Sequence, residues 1–394
     1  MVTNYAKLKV MGVLQPATSA ELAEALRDAA GNLQSIQLRG AGSKRLMAGP
    51  VAAADVEIST GSLRRVLAYE PNDLTVSVEA GMPWSEFTNM LAERKQMVPL
   101  DPPFSNEATV GGVVASNSSG PRRRLYGTAR DVVIGMTFIT LEGKLVQSGG
   151  MVVKNVAGLD MGKLMIGSFG TLAAIASLNF KLAPTPEVER SFLLPFPNAA
   201  AAIAARNMIL QGPLQPAGID LLNPAAAATL GNKAYLLAIR VAGNAAAANR
   251  YEREFSMMSD GVAFEGARQA ELWDHIREFT PSYLREHPDG AVARVSATLK
   301  GLEAEMASFN GPAVARAGSG VCYGYFESVA DAVAWRRDAK VRGSRGVIEF
   351  APEASKSTLE LWPAPGNDFE IMRRIKNLFD PSNLLNRGRL YGRI

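Results

Sequence analysis

The sequence has few of the residues that hold metals or build disulfide frameworks. It contains one cysteine, Cys322, and two histidines, His275 and His287, among 394 residues. A single cysteine excludes a disulfide framework, a zinc site made of thiolates and an iron–sulfur cluster held by this chain alone. Two histidines exclude a histidine-rich metal site. The sequence therefore predicts no bound metal.

Long hydrophobic runs and a strong charge imbalance are also missing. No apolar run approaches the ~20 residues of a membrane span, and the apolar stretch after Lys7 and Lys9 stops at Pro16, so we expect no signal peptide. Lys and Arg outnumber Asp and Glu by only 42 to 38, a balance that gives no electrostatic footprint for nucleic acid. We expect a cytoplasmic protein, and attachment of a complex to the inner membrane stays open.

The composition supports a buried core and more than one domain. Apolar residues make up 47 % of the chain and charged residues 20 %, which excludes a disordered or fibrous protein. The length suits two domains of roughly 150 residues or more. The overall expectation is an α+β fold.

Residues 1–185 are rich in glycine and in short alternating apolar segments. Thr18 and Glu21 form a capping box at the start of a helix that Gly31 ends. Pro83 opens a second helix, in which apolar residues recur at helical spacing. Alternation of apolar residues predicts strands at residues 35–38, 74–78, 133–141, 144–146 and 173–182. The strand at residues 74–78 is expected to be half-buried.

Pro184 and Pro186 mark the predicted end of this first domain. A strand and helix alternation follows over residues 186–350, which favours a cap domain made of an antiparallel sheet backed by helices. Residues 351–394 are predicted as a C-terminal helix and a tail that returns to the first domain. The apolar face of this helix is predicted to carry Phe369, Met372, Ile375 and Leu378. The predicted strands of the cap are residues 192–196, 217–222, 234–241, 291–296, 320–326 and 347–350, and its helices are residues 199–210, 245–258, 267–279, 302–309 and 330–342.

Three glycine-rich segments, residues 39–44, 109–120 and 167–171, are candidates for phosphate binding. An isolated cluster of this kind is usually a turn, but glycines also let consecutive backbone N–H groups approach an anion. Two common phosphate motifs do not fit. Arg45 stands where a dinucleotide fingerprint needs its third glycine, and the segment 158–163 is one residue too short for a P-loop.

Another pattern fits these segments in order. Arg-Gly-Ala-Gly-Ser-Lys (39–44) is followed by Val-Glu-Ala-Gly-Met-Pro-Trp (78–84) and Pro-Leu-Asp-Pro-Pro (99–103). Thr-Val-Gly-Gly-Val-Val-Ala-Ser-Asn-Ser-Ser-Gly (109–120) and Gly-Ser-Phe-Gly-Thr-Leu (167–172) come next. This order resembles the FAD-binding domain of the vanillyl-alcohol oxidase and p-cresol methylhydroxylase (PCMH) family over roughly residues 5–185. The resemblance implies a PCMH-type FAD-binding domain made of two α/β subdomains.

The resemblance also implies which residues bind FAD. Backbone amides of the first two glycine segments would hold the diphosphate, and the adenine end would lie near Ile175. Several family members attach the flavin through a histidine in the first glycine segment, where this chain has Ser43 and Lys44, so we expect non-covalent FAD. The predicted cofactor-binding residues are Arg39, Gly40, Ala41, Gly42, Ser43, Thr109, Gly111, Gly112, Ser116, Asn117, Gly120, Gly170 and Ile175.

The C-terminal segment narrows the resemblance to one branch of the family. Phe-Asp-Pro (379–381) and Asn-Arg-Gly-Arg (386–389) are similar to the ending of the glycolate oxidase and D-lactate dehydrogenase branch. The chain as a whole looks most like the FAD-binding E subunits of bacterial glycolate oxidases. The resemblance implies oxidation of glycolate to glyoxylate with a non-oxygen acceptor. It also implies a larger FAD-containing subunit and an iron–sulfur subunit as partners.

The catalytic residues are not identified by the sequence. Members of this branch use histidines in the cap, often around a divalent metal, and here His275 and His287 are more typical of surface or capping positions. The run 122–124 of three arginines could contact phosphates, bind a substrate carboxylate, dock a partner or simply be solvated. Arg387 and Arg389 could approach the flavin or form a structural clasp. Core or interface positions are expected for Trp273, Trp335 and Trp362.

Three hypotheses follow from the sequence. The first is a non-covalent FAD subunit of a glycolate oxidase complex. The second is a self-sufficient FAD-dependent dehydrogenase of another 2-hydroxy acid. The third is a scaffold subunit that has the fold without the cofactor, although a scaffold has no need of two glycine-rich anion sites.

Overall fold

The computed structural model describes residues 12–151, 160–392 and 394. The predictions that concern Lys7 and Lys9, and the glycine of the P-loop-like segment at Gly158, lie outside the described residues. Within the described residues, no helix is long and apolar enough to cross a lipid bilayer.

The fold begins with a parallel sheet of three strands beside helix α1 (Ser19–Gly31). Thr18 Oγ1 caps this helix by accepting a hydrogen bond from Glu21 N–H. The predicted capping box is thus confirmed on one side only, because the Glu21 carboxylate accepts from Ala17 N–H at 2.8 Å. The strand order is β1-β3-β2, with β1 at Val13–Leu14, β2 at Ile36–Arg39 and β3 at Val56–Ser59.

An antiparallel sheet of five strands follows in the order β4-β5-β9-β7-β8. Every residue of β5 is buried, so the prediction of a half-buried strand at residues 74–78 is wrong. Strand β5 pairs with a neighbour on both sides, and its polar face is covered as well as its apolar face. A short pair joins β6 and β10. The strands are β4 (Val66–Glu70), β5 (Thr75–Glu79), β6 (Gln96–Met97), β7 (Val133–Ile139), β8 (Leu145–Gly149), β9 (Ala174–Lys181) and β10 (Ala183–Pro184).

Short helices cover the five-stranded sheet. Helix α2 starts after Pro83 as predicted, and its residues Trp84, Phe87 and Leu91 are buried in the same core as the sheet. The helices of this part are α2 (Trp84–Ala92), α3 (Val110–Ala115), α4 (Arg123–Tyr126), α5 (Ala129–Val132) and α6 (Gly162–Met165).

The C-terminal half is built on an antiparallel sheet of eight strands, ordered β14-β11-β13-β12-β16-β17-β15-β18. Strands β14 and β16 were not predicted, and the helix expected over residues 267–279 divides at Glu278 into α10 and α11. The strands are β11 (Val188–Phe196), β12 (Gly218–Leu222), β13 (Tyr235–Gly243), β14 (Val262–Glu265), β15 (Ala291–Ser296), β16 (Ala313–Arg316), β17 (Val321–Phe326) and β18 (Gly346–Phe350).

Both faces of this sheet pack on helices, and the second face also faces the N-terminal half. The first face shares a core with α7, α9, α12 and α13. The second face shares a core with α8, α10 and α11, and Phe104 of the N-terminal half stacks on Phe350 of β18 with ring centroids 5.8 Å apart. The helices are α7 (Ala199–Gln211), α8 (Pro224–Ala227), α9 (Ala245–Ser256), α10 (Gly266–Arg277), α11 (Phe279–Glu286), α12 (Leu302–Ala307), α13 (Val329–Val341), α14 (Glu353–Lys356) and α15 (Asp368–Phe379).

The C-terminal helix and the tail after it contact the two sheets of the N-terminal half. Ile375 and Phe379 of α15 pack against the core of the five-stranded sheet, whereas Leu378 is exposed and does not belong to the apolar face predicted for it. After the helix, Ile36 N–H of β2 donates to Leu384 O at 2.8 Å. The tail therefore lies beside β2, next to the loop that carries the first glycine segment.

Candidate functional site

A cavity of about 390 Å³ lies where four segments of the chain meet. They are the loop after β2, the start of α3, the residues that lead into β9, and the C-terminal tail. The structure brings together here the predicted residues Arg39, Gly40, Ala41, Gly42, Ser43, Thr109, Gly111, Gly112, Ser116, Gly170 and Ile175.

Two of the predicted residues lie elsewhere. Asn117 lines a neighbouring cavity. Gly120 lines neither cavity, and a Cβ at this position would stand 1.9 Å from the carbonyl oxygen of Asp101. Close packing within the chain accounts for the glycine at position 120.

The first glycine loop offers unused backbone donors to the cavity. Within the described part of the chain, the N–H groups of residues 41–44 donate no hydrogen bond, while Arg45 N–H donates to Gly42 O at 3.0 Å. Gly42 has a φ of +79°, which glycine adopts without steric cost. Successive N–H groups in such a turn carry partial positive charge and form a concave anion site. The loop can therefore hold a diphosphate.

The second glycine loop shapes the cavity, and the amides of Gly111, Gly112 and Asn117 are occupied within the chain. Thr109 Oγ1 caps α3 by accepting from Gly112 N–H at 3.2 Å, and Gly111 N–H donates to Ala80 O at 2.7 Å. Asn117 N–H also donates within the loop. Within the described residues, the first loop and Thr109 N–H therefore present amides that donate no hydrogen bond, whereas those of Gly111, Gly112 and Asn117 donate within the chain.

The two loops touch at Gly40. A Cβ on this residue would stand 2.2 Å from Thr109 Oγ1 and 3.3 Å from Thr109 Cβ. Real side chains never approach so closely, so a glycine is needed for this contact. Gly40 thereby joins the anion-binding loop to the capped start of α3.

The C-terminal tail closes the cavity and holds the loops in place. Asn386 donates to Leu38 O at 2.9 Å and to Phe169 O at 2.7 Å, and it accepts from Leu38 N–H at 2.8 Å. Arg389 donates to Gly49 O at 2.6 Å. Of the two roles that the sequence left open for Arg389, these contacts support the structural clasp, although the residue also lines the cavity.

Lys44 lines this cavity, but its ammonium is buried in the chain. The residue is 8 % exposed, and its ammonium has no hydrogen-bond partner among the described residues. The ammonium lies 5.6 Å from the centroid of the Phe104 ring. Burial lowers the pKa of Lys44 to about 8, although the nearby carboxylates of Glu278 and Glu107 act in the opposite direction.

A second cavity, of about 360 Å³, adjoins the first. Ser116 and Phe169 line both cavities. The second cavity lies between the glycine loops and the eight-stranded sheet, whose strands β15, β16, β17 and β18 contribute Arg294, Arg316, Tyr323 and Glu349 to its wall.

Strand alternation places these side chains on one face. Ala293 and Val295 of β15 are buried against the helices on the opposite face of the sheet, so Arg294 between them faces the cavity. Arg294 is paired with Tyr323 of β17 across the strands. The tetrapeptide Ala-Val-Ala-Arg occurs at both 291–294 and 313–316. This repeat was a signal in the sequence for the two arginines, because an arginine follows three buried residues of a strand in both places.

The second cavity has a net positive charge. Arg294 Nε donates to Glu349 at 2.6 Å, and Arg316 forms a buried ion pair with Asp220. Arg123 donates to Ser119 Oγ at 3.2 Å and has no carboxylate partner among the described residues. Three guanidinium groups and two carboxylates leave a charge of +1. Burial raises the pKa of Asp220 to about 6, and the ion pair with Arg316 acts in the opposite direction by favouring the ionised carboxylate.

One donor in this cavity has no partner within the described chain. Arg316 is 7 % exposed, and its Nε–H makes no hydrogen bond there. Leaving a buried donor unsatisfied costs about 1–3 kcal/mol, more when the group is charged. Burial raises the pKa of the neighbouring Tyr323, so its phenol remains protonated and able to donate.

The arginines of the run 122–124 separate in the structure. Arg122 forms an ion pair with Glu189 at 3.1 Å, and Arg124 donates to Gln215 at 2.6 Å. Only Arg123 of the three lines the second cavity. The three residues therefore have three different environments, and one of them can meet a ligand there.

The histidines lie outside both cavities. His275 exchanges a hydrogen bond with Thr229 Oγ1 at 2.8 Å, and His287 stacks on Tyr283. Within the described ranges, no three side chains of His, Cys, Asp or Glu come together so as to hold a metal ion.

The tryptophans have packing roles. Trp273 is buried and donates to Ser191, and Trp335 stacks on Phe309. Trp362 stacks on Tyr391 of the tail and also lines the second cavity. The sequence had placed all three at core or interface positions, and these contacts agree with that expectation.

Two segments of the chain match family profiles. Residues 10–149 match the family profile described as "FAD binding domain". This part of the chain is similar to the FAD-binding domain of the FAD-linked oxidases. Residues 364–390 match the C-terminal domain of FAD-linked oxidases. The two matched ranges include the loop after β2, the start of α3 and the C-terminal tail, which line the first cavity.

Curated relatives of this FAD-binding domain include oxidases and dehydrogenases. The chain is 34 % identical over 174 residues to glycolate oxidase subunit GlcE of Escherichia coli, covering 44 % of this chain and 49 % of the relative. It is 31 % identical over 212 residues to D-lactate dehydrogenase of Anaerostipes hadrus, covering 53 % and 44 %. The chain thus spans half or less of the length of these relatives.

Solved structures share the fold over almost the whole chain. An alkyldihydroxyacetonephosphate synthase superposes with a TM-score of 0.71 at 18 % identity, covering 95 % of this chain and 75 % of that one. A 4-ethylphenol oxidase from Gulosibacter chungangensis gives 0.73 at 15 % identity, covering 97 % and 89 %. The predicted α+β fold, with a PCMH-type FAD-binding domain and an antiparallel-sheet C-terminal domain, is confirmed.

The residues of the first cavity fit FAD. Unused amides at residues 41–44 suit its diphosphate. The segment that leads into β9 adds Ala173 and Ile175 as an apolar surface. An anion-binding loop joined to an apolar wall suits a dinucleotide cofactor.

Proposed function

We propose that this chain is the FAD-binding subunit of a glycolate-oxidising complex, in which glycolate is oxidised to glyoxylate. Electrons would pass through the flavin to an iron–sulfur partner subunit, and a larger FAD-containing subunit would be the other partner. The observation that carries the proposal is the junction of the two cavities at Ser116 and Phe169. A cofactor in the first cavity would border a small cationic chamber.

The second cavity suits a small monocarboxylate. Its net charge of +1 balances one carboxylate, and the guanidinium groups of Arg316 and Arg123 line the cavity as donors for its oxygens. Arg294 is already neutralised by Glu349. Bound FAD would supply the two-electron acceptor, and the chain's own residues would bind the acid and orient it at the junction of the cavities.

We infer that FAD is held without a covalent bond. Ser43 and Lys44 stand in the loop where several members of the family have the flavin-linked histidine. His275 and His287 line neither cavity. The chain thus places no histidine at the cofactor site within its described residues.

Anaerobic titration of the FAD-loaded chain with glycolate tests the substrate assignment. We expect a saturable change in the visible flavin spectrum, and complete bleaching only after the partner subunits are added. Arg123→Gln and Arg316→Lys should each raise the half-saturating glycolate concentration at least tenfold. Arg316→Lys keeps a positive charge beside Asp220, so the ion pair is retained. Arg253→Gln, on the exposed side of α9, is the control and should match the wild type.

The same titration separates the other hypotheses. Rapid, complete bleaching by a 2-hydroxy acid without partners would favour a self-sufficient dehydrogenase. A chain that binds no FAD would favour a scaffold role. A spectral change with equal half-saturation in wild type, Arg123→Gln and Arg316→Lys would contradict the assignment of the carboxylate site.

A further inference from the structure

Glu349 is the one carboxylate among the described residues that line the second cavity. Its side chain is 12 % exposed, and Oε1 accepts from Arg294 Nε at 2.6 Å. Oε2 accepts no hydrogen bond within the described chain, and it is not one of the fully enclosed unpartnered atoms there. One oxygen of this carboxylate is therefore held by the protein, and the other is accessible and unused.

A β-bulge in β18 turns Glu349 toward this cavity. The cross-strand pairs between β18 and β15 are Ile348 with Ala293 and Phe350 with Val292. Glu349 is therefore an extra residue without a partner on β15. In a regular strand, Glu349 and Phe350 would point to opposite faces, whereas both line the cavity here. Bulges are over-represented beside active sites, where they re-aim a side chain.

The charged groups of the cavity lie around Tyr323. Arg316 Cζ is 5.8 Å from the centroid of the Tyr323 ring, and Arg294 is paired with Tyr323 across the strands. Burial raises the pKa of Tyr323, the Glu349 carboxylate adds to this shift, and three guanidinium groups oppose it, those of Arg316, Arg294 and Arg123. The unused carboxylate oxygen and the guanidinium groups that suit a ligand carboxylate therefore lie near the same phenol.

We propose that Glu349 Oε2 accepts a hydrogen bond from the 2-hydroxyl group of the substrate, and that this contact selects 2-hydroxy acids over acids without the hydroxyl. The inference rests on the proposed glycolate site and assigns the group that recognises the second functional group of the acid. An ionised carboxylate has acceptors only, so it pairs with a hydroxyl donor. The arginines hold the carboxylate end of the ligand, and Glu349 holds the hydroxyl end.

The same carboxylate disfavours an acid that cannot donate. Glu349 and the carboxylate of the ligand are both negative, so they repel each other in the cavity. A hydroxyl that donates to a charged oxygen forms one of the stronger hydrogen bonds in proteins. This bond offsets the repulsion for a 2-hydroxy acid, and an acid without a donor has no such compensation.

Glycolate and fluoroacetate are the matched ligands for a test on the FAD-loaded chain, because fluorine is close to a hydroxyl in size and cannot donate. Binding of fluoroacetate is followed by fluorine NMR in the absence of oxygen, and glycolate is measured by its displacement of fluoroacetate. The wild type should bind glycolate at least tenfold more tightly than fluoroacetate.

Two variants remove the proposed acceptor. Glu349→Gln keeps the size of the side chain and an oxygen for Arg294, and it puts an N–H donor in place of the unused oxygen. Glu349→Ala removes both oxygens. In both variants the preference for glycolate should fall below threefold. Fluoroacetate should bind more tightly than it does to the wild type, because one negative charge has been removed from the cavity.

Glu254→Gln is the matched control. It also removes a carboxylate that accepts from an arginine Nε, that of Arg250 at 2.9 Å on α9, outside both cavities. Its preference for glycolate should match that of the wild type. The visible flavin spectrum of each variant reports whether the cofactor site is intact, and Glu349→Gln decides the test if Glu349→Ala does not fold.

An equal preference for glycolate in the wild type and in Glu349→Gln would overturn the inference and leave the carboxylate site standing. A wild type that binds glycolate and fluoroacetate with equal affinity would do the same. If neither acid binds to the FAD-loaded wild type, the proposed glycolate site itself is contradicted, and the inference fails with it.

Discussion

The two glycine loops can contact each other because Gly40 has no Cβ. The space that a Cβ would need is already filled by the Thr109 side chain. Thr109 in turn caps α3 through Gly112 N–H. The contact therefore links the loop that offers free amides to a helix start that is fixed in place.

Gly40→Ala should weaken FAD binding by at least tenfold, about 1.4 kcal/mol. The new Cβ would have to push Thr109 away from its cap or move the first loop, and either change displaces the amides of residues 41–44. Equilibrium titration with FAD, followed by flavin fluorescence, measures the effect.

Gly150→Ala is the matched control for this substitution. Gly150 has open space around an added Cβ and lines neither cavity. It should bind FAD as the wild type does. Wild-type affinity in Gly40→Ala would show that the contact with Thr109 is unimportant for the site.

The individual residues of the first cavity were largely predictable, and those of the second were not. The need for glycine at particular positions follows from the motif and its spacing, so the loop at 39–44 could be identified from the sequence as a cofactor-binding loop. Arg294 and Arg316 face a cavity only because strand alternation and pairing turn them toward the N-terminal half. The burial that isolates Lys44 depends on Phe104 and on the sheet behind it, which are far away in sequence.

Among the elements, the C-terminal helix and tail depend on one buried ion pair. Lys376 Nζ lies 2.5 Å from Asp380 Oδ2 and also donates to Thr171 O at 2.8 Å. Asp380 is fully buried and accepts from the N–H groups of Leu384 and Leu385, both at 2.8 Å. The pair thus fixes the turn after α15 and ties it to the segment that leads into β9.

Asp380→Asn should lower the free energy of unfolding by roughly 3–5 kcal/mol, the usual cost of leaving a buried charge without its partner. The tail beside β2 would lose its anchor, so FAD affinity should fall as well. Urea unfolding of the chain without FAD measures the first effect, and FAD titration measures the second.

Arg374→Gln, on the exposed face of the same helix, is the control for this element. The Arg374 side chain is 76 % exposed, and surface ion pairs contribute little to stability. Its unfolding midpoint should match that of the wild type. Equal midpoints for Asp380→Asn and Arg374→Gln would mean that the buried pair does not stabilise the tail.

The elements predicted best were those with local signals. Thr18 and Pro83 mark the starts of α1 and α2, and these signals lie within a few residues of the helices themselves. Strands β14 and β16 were missed because they are four residues long and pair with distant strands. Leu378 fits the helical spacing of an apolar face, yet it is exposed, because α15 covers the core along one side only.

For the whole molecule, the site exists only when both halves of the chain are packed together. The first cavity is enclosed by residues between 37 and 389, and the second lies between the glycine loops and the eight-stranded sheet. Motifs could predict the cofactor, because its binding loops are continuous in sequence. They could not predict the cationic chamber, because its arginines come from the N-terminal half and from two separate strands.

The most direct test of this account is the flavin content of the purified chain after reconstitution and acid precipitation. The account predicts one FAD per chain, released in full into the supernatant, with occupancy lost when Gly42, which needs a positive φ, is replaced by valine. Flavin that stays with the precipitated protein would contradict the non-covalent assignment. A chain that takes up no FAD, or a Gly42→Val variant with full occupancy, would contradict the assignment of the cofactor cavity itself.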